Sequence, residues 1–290
     1  MILAELLLEI GTEEIPSGYL DEGLKAFKGL AQKCLEDNRI RLEGDLETHG
    51  TPRRLVLVGR GISKTQEDLV QEITGPPLQV AYDDAGKPTQ AALGFARKMG
   101  VSVEELGSIQ TPKGEYVHIR RQVPGQATDV LLKERLPEVI AAIPWPKSMR
   151  WGDVGFSFVR PIHWVLCLFD GKVIPFEMAG LTSGRTTRGH RFMAPEPIEV
   201  TGVADYVEKM RPAWVVIDPD EREMRVEEMV REAAQTVGGS PADDPELRKT
   251  VTHLVEYPCA VCGSFDHAFL SLPDEVLITA MKEHQKYFAV

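Results

Sequence analysis

Cysteine is scarce: four residues in a chain of 290. That is too few for a disulfide scaffold and fits a reducing, cytoplasmic setting. Long apolar runs are also missing, and none reaches the roughly 18 residues of a membrane span. The start, MILAELLLEI, carries no basic residue and is interrupted by Glu5 and Glu9. It does not read as a secretory signal. There is no G-x-x-x-x-G-K-[ST] loop, no G-x-G-x-x-G after a strand and no G-x-S-x-G elbow. The usual nucleotide cradles and the hydrolase nucleophile are thereby excluded. Internal repeats and low-complexity segments are absent. Positive charge is short overall, with a net charge of −11. A general nucleic-acid coat is excluded, and any RNA contact has to be local.

What is present is an ordinary globular composition, 43% hydrophobic and 27% charged, long enough for two domains. Met1–Ile10 reads as a buried strand, ended by Gly11 to Glu14 and Pro16. Ser17 is placed to cap a helix whose Leu20, Leu24, Phe27, Ala31 and Cys34 share one face. Thr89 caps a second helix, with Leu93, Ala96 and Met99 facing inward and Gly100 ending it. Glu115–Gln122 alternates as a strand, Tyr116 and His118 on one face, Val117 and Ile119 on the other. Residues 126–143 read as a helix interrupted by Pro137. Ile162–Phe169 is apolar on both faces, as a central strand covered on both sides would be, which makes His163 a core histidine. Asp170-Gly171 is a hairpin turn, with Lys172–Phe176 returning. Thr182–Gly189 reads as a loop.

From Thr201 the character turns helical and acidic. Ala213–Ile217 is expected as a short strand. Asp218 caps the next helix with Pro219 at its first position, and Val226, Met229, Val230, Ala233 and Val237 form its core face. Further helices are expected over 244–255 and 273–283, then an apolar Tyr287–Val290 that reads as a strand running on. The expected fold class is α+β. A mixed or antiparallel, sheet-rich domain spans 1–200, and a helix-rich domain spans 201–290, cut short at its C-terminal end.

The densest cluster of signals is 145–192. It holds three of the four tryptophans, and its basic residues outnumber its acidic ones by seven to three. Such an island suits either solvated sheet loops or a surface for a polyanion. Within it, TRGHRF at Thr187–Phe192 is the strongest functional motif. Arg188 and Arg191 can fork onto phosphates, and His190 can donate to a base or stack on it. Lys147, Arg150 and Arg185 extend the set. Arg53 and Arg54 are either a charged strand start or an additional phosphate contact. Glu13 and Glu14, neighbours that would point to opposite faces of a strand, make a poor catalytic pair. Cys259 and Cys262, with His253 and His267 nearby, are the one candidate zinc set. The spacing lacks a second C-x-x-C and matches no known finger, so the chain reads as metal-free.

Several stretches together resemble one family. LLLEIGTEEIP, THGTPRRL, ALGFARKMG, KSMRWG, F-x-RPIHW, TRGHRF, VEYP and FLSLPDEVLITAMKEHQKYF occur in this order from Leu6 to Phe288. They resemble the β subunit of bacterial heterotetrameric glycyl-tRNA synthetase, whose β chains are considerably longer. The resemblance implies a subunit of a ligase that joins glycine to tRNA(Gly) using ATP. It implies adenylate chemistry in the α subunit, and tRNA binding and assembly in this chain. No cofactor is expected in this part, although the holoenzyme uses ATP. The α subunit and tRNA(Gly) are the implied partners, with neither DNA nor a membrane. The RNA-binding candidates are Arg53, Arg54, Lys147, Arg150, Arg185, Arg188, His190 and Arg191, with no catalytic residue. The competing readings are a stand-alone RNA-binding or scaffold module and a small-molecule hydrolase using Glu13, Glu14 and the histidines.

Overall fold

The computed structural model describes residues 3–290, so Met1 and Ile2 of the expected first strand lie outside it. The chain forms two compact units, residues 1–64 with 128–290, and residues 65–127. The change in character at Thr201 falls inside the first unit.

In chain order the first unit opens with β1 (Leu3–Thr12), α1 (Ser17–Asp37), β2 (Leu46–Thr51) and β3 (Arg54–Ser63). Pro16 rather than Ser17 occupies the N-cap of α1, and no side chain caps it. The smaller unit contains β4 (Leu69–Pro77), α2 (Leu78–Ala81), α3 (Gln90–Met99), β5 (Gly107–Thr111) and β6 (Gly114–Val123). Its sheet order is β4-β6-β5, all antiparallel. Thr89 caps α3 by accepting from the Ala91 amide at 3.2 Å, and Gly100 ends it in the left-handed region at φ 70°. Val117 is buried against Ala81 and Ala92, whereas Leu93, expected inward, is exposed.

The first unit resumes with α4 (Thr128–Ala141), which runs through Pro137. Short strands follow: β7 (Met149–Arg150) and β8 (Ser157–Phe158). Then come β9 (Ile162–Phe169), β10 (Lys172–Val173), β11 (Glu177–Met178), β12 (Leu181–Thr182), β13 (Thr186–Arg188) and β14 (Pro197–Glu199). Asp170 and Gly171 both take positive φ, 53° and 72°, as a two-residue hairpin between right-twisted strands requires. The returning strand stops at Val173, not Phe176. Part of the expected 182–189 loop is β13, paired with β14. Helices α5 (Val203–Met210), α6 (Pro219–Thr236), α7 (Pro245–Thr252) and α8 (Asp274–Thr279) complete the chain. No strand forms at 213–217 or 287–290. Val215 and Val216 are nevertheless buried, and the Val216 amide donates to the Glu256 carbonyl at 2.9 Å.

The main sheet has the order β10-β9-β1-β3-β2 and is antiparallel throughout. Leu6, Leu8, Ile10, Leu55 and Leu57 face α1 and α4 in one core. Leu7, Val56, Val58, Leu166 and Leu168 face α5 in a second core. Both faces are covered, which is why β1 and β9 are apolar at nearly every position. Ile162 joins the first core with Val165 and Cys167 rather than the second with Leu166. A register shift between Gly11 and Thr12 opposite β9 accounts for the change of face. Cys34, expected in the core, is only half-buried at its edge.

Helix α6 is capped by Asp218, whose side chain accepts from the Asp220 amide at 3.0 Å. Its core face is Arg222, Val226 and Ala234, and Val237 is exposed. Helix α7 is tied to α1 through His253, which follows it, where Nε2 lies 2.8 Å from Asp21. Burial, the largest influence, lowers the His253 pKa from 6.5, against the pull of Asp21. The unfolded chain therefore takes up this proton first as the pH drops. Stability should fall as the pH drops through 6.5 and level off below the folded-state value. Urea unfolding followed across this window should show the step in the natural chain and not in His253→Gln.

Candidate functional site

At one end of the main sheet, on the face covered by α5, five distant pieces of chain converge. They are the end of β1, the β2–β3 turn, the start of β9, the segment after β13 and the segment after α7. At their centre is Arg54, which is fully buried. Its Nη1 donates to Glu9 Oε1 at 2.9 Å and to the Arg188 carbonyl at 2.8 Å. Its Nε donates to Glu256 Oε1 at 2.9 Å. Glu9 also accepts from Tyr206 Oη at 3.0 Å and from Trp164 Nε1 at 3.1 Å. Glu256 accepts from Thr51 Oγ1 at 2.7 Å. Burial alone would raise the Glu256 carboxyl pKa, but Arg54 and Thr51 outweigh it, and the net shift is downward. Burial opposes the charged form of Arg54 too, and Glu256 and Glu9 more than restore it. Burial and Glu9 together push the Tyr206 phenol well up.

The indole of Trp164 lies flat against β1. A Cβ on Gly11 would come within 2.0 Å of that ring, so only glycine fits there. Arg54 is therefore not a surface group, and the expectation of a phosphate contact at this residue is corrected. Its side chain is consumed by two carboxylates and a carbonyl inside the protein. Arg53, just before β3, is 9% exposed, with its guanidinium carbon 5.9 Å from the centroid of the same Trp164 ring that Arg54 approaches at 5.5 Å. Burial lowers its pKa, and Arg191 adds to the effect.

Outside this hub lies a second, half-exposed cluster. Arg191 Nη2 donates to both oxygens of Glu13 at 3.0 Å, and Nη1 lies 3.5 Å from Glu14. His163 Nε2 is 2.9 Å from Glu13 Oε1. His163 is exposed, not a core histidine, because the register against β1 steps from Gly11 opposite Trp164 to Thr12 opposite Ile162 and leaves His163 out of the ladder. Glu13 and Glu14 follow the end of β1, so strand alternation no longer separates them and both reach Arg191. Burial would raise the Glu13 pKa, but Arg191 and His163 outweigh it and the net shift is downward.

His190 is tied into its own loop. Its Nδ1 accepts from the Phe192 and Met193 amides at 3.3 Å each, and its backbone amide donates to the Ala213 carbonyl at 2.9 Å. Lys147, Arg150 and Arg188 are exposed and Arg185 is half-buried. Their side chains make no ion pair or hydrogen bond to any described residue. The predicted basic set thus divides into a buried anchor (Arg54), a nearly buried neighbour (Arg53), an ion-paired brace (Arg191) and free cations.

Of the candidate zinc residues, Cys259 and Cys262 are exposed, and Cys262 Sγ donates to the Ala233 carbonyl at 3.1 Å. His253 is engaged with Asp21. Among the described residues no group of three or more His, Cys, Asp or Glu side chains is placed to hold a metal. A cavity of about 810 Å³ lies along α6 and the C-terminal segment, lined by Ala233, Val261, Phe269 and Met281 among others. Glu13, Glu14 and His163 do not line it. No described helix is long and apolar enough to cross a membrane.

Sequence reasoning missed Glu9, Tyr206, Glu256 and Arg222. Arg222 alone carried a signal, since it lies four residues before Val226 on the stripe of α6 that faces the core. It is fully buried and donates to the carbonyls of Val216, Thr252 and Gly50 at 2.6, 2.7 and 2.8 Å.

The stretches that build this end of the sheet have close counterparts in known proteins. Residues 6–290 match the family model described as glycyl-tRNA synthetase beta subunit. The glycine–tRNA ligase beta subunit of Syntrophus aciditrophicus is 48% identical over 99% of this chain and 41% of its own length. That of Syntrophotalea carbinolica is 46% identical over 99% of this chain and 42% of its own length. That of Moorella thermoacetica is 43% identical over 99% and 41%, respectively. The chain therefore spans about two fifths of the length of the curated relatives it matches. With a model match across nearly its whole length and relatives this similar, the chain belongs to the glycyl-tRNA synthetase β-subunit family.

Proposed function

We propose that this chain serves a glycine–tRNA ligase as part of its β subunit, holding tRNA and assembling with an α subunit that carries the adenylate chemistry. ATP is used by that assembly and not by this chain, and the setting is the cytoplasm. Family membership supports the ligase role. One observation carries the RNA contact: Lys147, Arg150, Arg185 and Arg188 are unpaired cations in an acidic chain. Arg191, by contrast, is drawn onto Glu13. Unpaired guanidinium groups keep their five donors for phosphate oxygens.

The experiment is a salt titration of the affinity for glycine-accepting tRNA. Each phosphate contact contributes about 0.7 to 0.9 to the slope of log affinity against log salt. Arg185→Ala combined with Arg188→Ala should lower that slope by about 1.4 to 1.8. Other tRNAs should be weakened alike, because phosphate contacts carry no sequence information. The thermal melt should stay within error, since exposed charges contribute little to stability. An unchanged slope would refute the RNA contact at these residues.

A further inference from the structure

Residues 259–290 contain no buried residue. Ordering a backbone costs about 1–2 kcal/mol per residue, which burial of apolar side chains normally offsets. The stretch nevertheless carries large apolar side chains into solvent: Val261 is 87% exposed, Leu270 58%, and Phe269 and Val276 52% each. Polar bonds tie it to the rest of its unit. Cys262 Sγ donates to the Ala233 carbonyl at 3.1 Å, Lys282 pairs with Asp244 at 2.7 Å, and the Ala242 amide donates to the Ala289 carbonyl at 2.9 Å. Between these ties lies the groove of about 810 Å³. Val230, Ala233 and Ala234 of α6 line one side of it, and Phe269, Leu277 and Met281 line the other. Contiguous apolar surface of this kind marks an interaction site.

We propose that this groove docks a part of the β subunit that has no counterpart in this chain, seated through the apolar face of a helix. More than half the length of each relative lies outside its match with this chain. In those relatives that part belongs to the same polypeptide. It therefore meets the groove at the high effective concentration of a tethered module, and needs no strong affinity of its own. A second copy of this chain fits less well, because each copy brings a net charge of −11 and like charges repel. The groove runs along α6, and a helix laid beside it would place apolar side chains at every third and fourth position into the groove.

The test compares this chain with a chimera in which it replaces the matching region of the Syntrophus aciditrophicus β subunit. Cys259 and Cys262 are both exposed, but only Cys262 lines the groove. In the chimera Cys262 should react with iodoacetamide at least about tenfold more slowly than in this chain alone, with Cys259 much less affected. Phe269→Glu should abolish that protection in the chimera and leave the melt of this chain in place, since the ring is half-exposed and makes no core contact. Equal Cys262 rates in chain and chimera would overturn the proposal. Protection in this chain alone that rises with its concentration would mean a second copy, and would overturn it too. So would protection of the chimera that appears only when an α subunit is added. Hydrogen exchange over the matching stretch of the Syntrophus aciditrophicus β subunit, whole against cut to its matching region, asks the same question without a chimera. No added protection in the whole subunit would overturn the docking.

Discussion

Replacing Arg54 with Met should destabilise the protein by about 3–5 kcal/mol, the cost of breaking a buried ion pair by removing one partner. The mechanism is specific. Glu9 and Glu256 would remain in the interior with no cation bonded to them, and the Arg188 carbonyl would lose its donor. Tyr206, Trp164 and Thr51 would still donate, which limits the loss. For a unit of this size the change corresponds to a melting shift of roughly 6–20 °C. Adding Glu256→Gln to Arg54→Met should recover part of the loss, because one stranded charge is then gone. The acid side should show the same network. The Glu256 pKa is lowered in the folded state, so its contribution is present above the unfolded value of 4.5 and is lost as the pH falls below it. A melt of Arg54→Met within about 2 °C of the natural chain would mean that the hub is energetically idle.

The second large effect is expected at Arg222. Arg222→Met should cost at least about 3 kcal/mol, since each hydrogen bond from a charged donor contributes about 1.5–3 kcal/mol and three buried carbonyls are abandoned. Those carbonyls belong to β2, the segment before α6 and the end of α7, so one side chain links the helix-rich end of the chain to the sheet. Burial lowers the Arg222 pKa to about 10, which leaves it charged at neutral pH. Arg222→Lys should fail to rescue, because a single ammonium on a flexible stem cannot address three diverging acceptors as a planar guanidinium does. Denaturant unfolding measures both variants. A conservative outcome for Arg222→Lys would show that the charge matters and the fork does not.

Local signals in the sequence foretold local structure well. The Asp170-Gly171 hairpin, the Thr89 and Asp218 caps and the doubly covered strand Ile162–Phe169 all depend on short-range chemistry, and all are present. The α+β class followed from the same elements. The hub was not legible, because its bonds join residues with no periodic relation. Glu9 lies 45 positions from Arg54, and Glu256 lies 202 positions from it. Arg53 and Arg54 look alike in sequence, yet a single position separates a turn residue beside the surface cluster from a fully buried anchor. His163 failed for a related reason. Alternation placed it on an apolar strand, but the register shift against β1 that leaves it out of the ladder is a tertiary fact.

One measurement separates the two roles assigned to this end of the sheet: the salt slope of tRNA affinity, taken at a temperature where every variant is folded. Arg54→Met should leave the slope at its natural value while its melt drops by many degrees. Arg185→Ala/Arg188→Ala should lower the slope by about 1.4 to 1.8 while its melt stays in place. A slope reduced by Arg54→Met and untouched by Arg185→Ala/Arg188→Ala would contradict the division into a buried anchor and a free phosphate-binding edge.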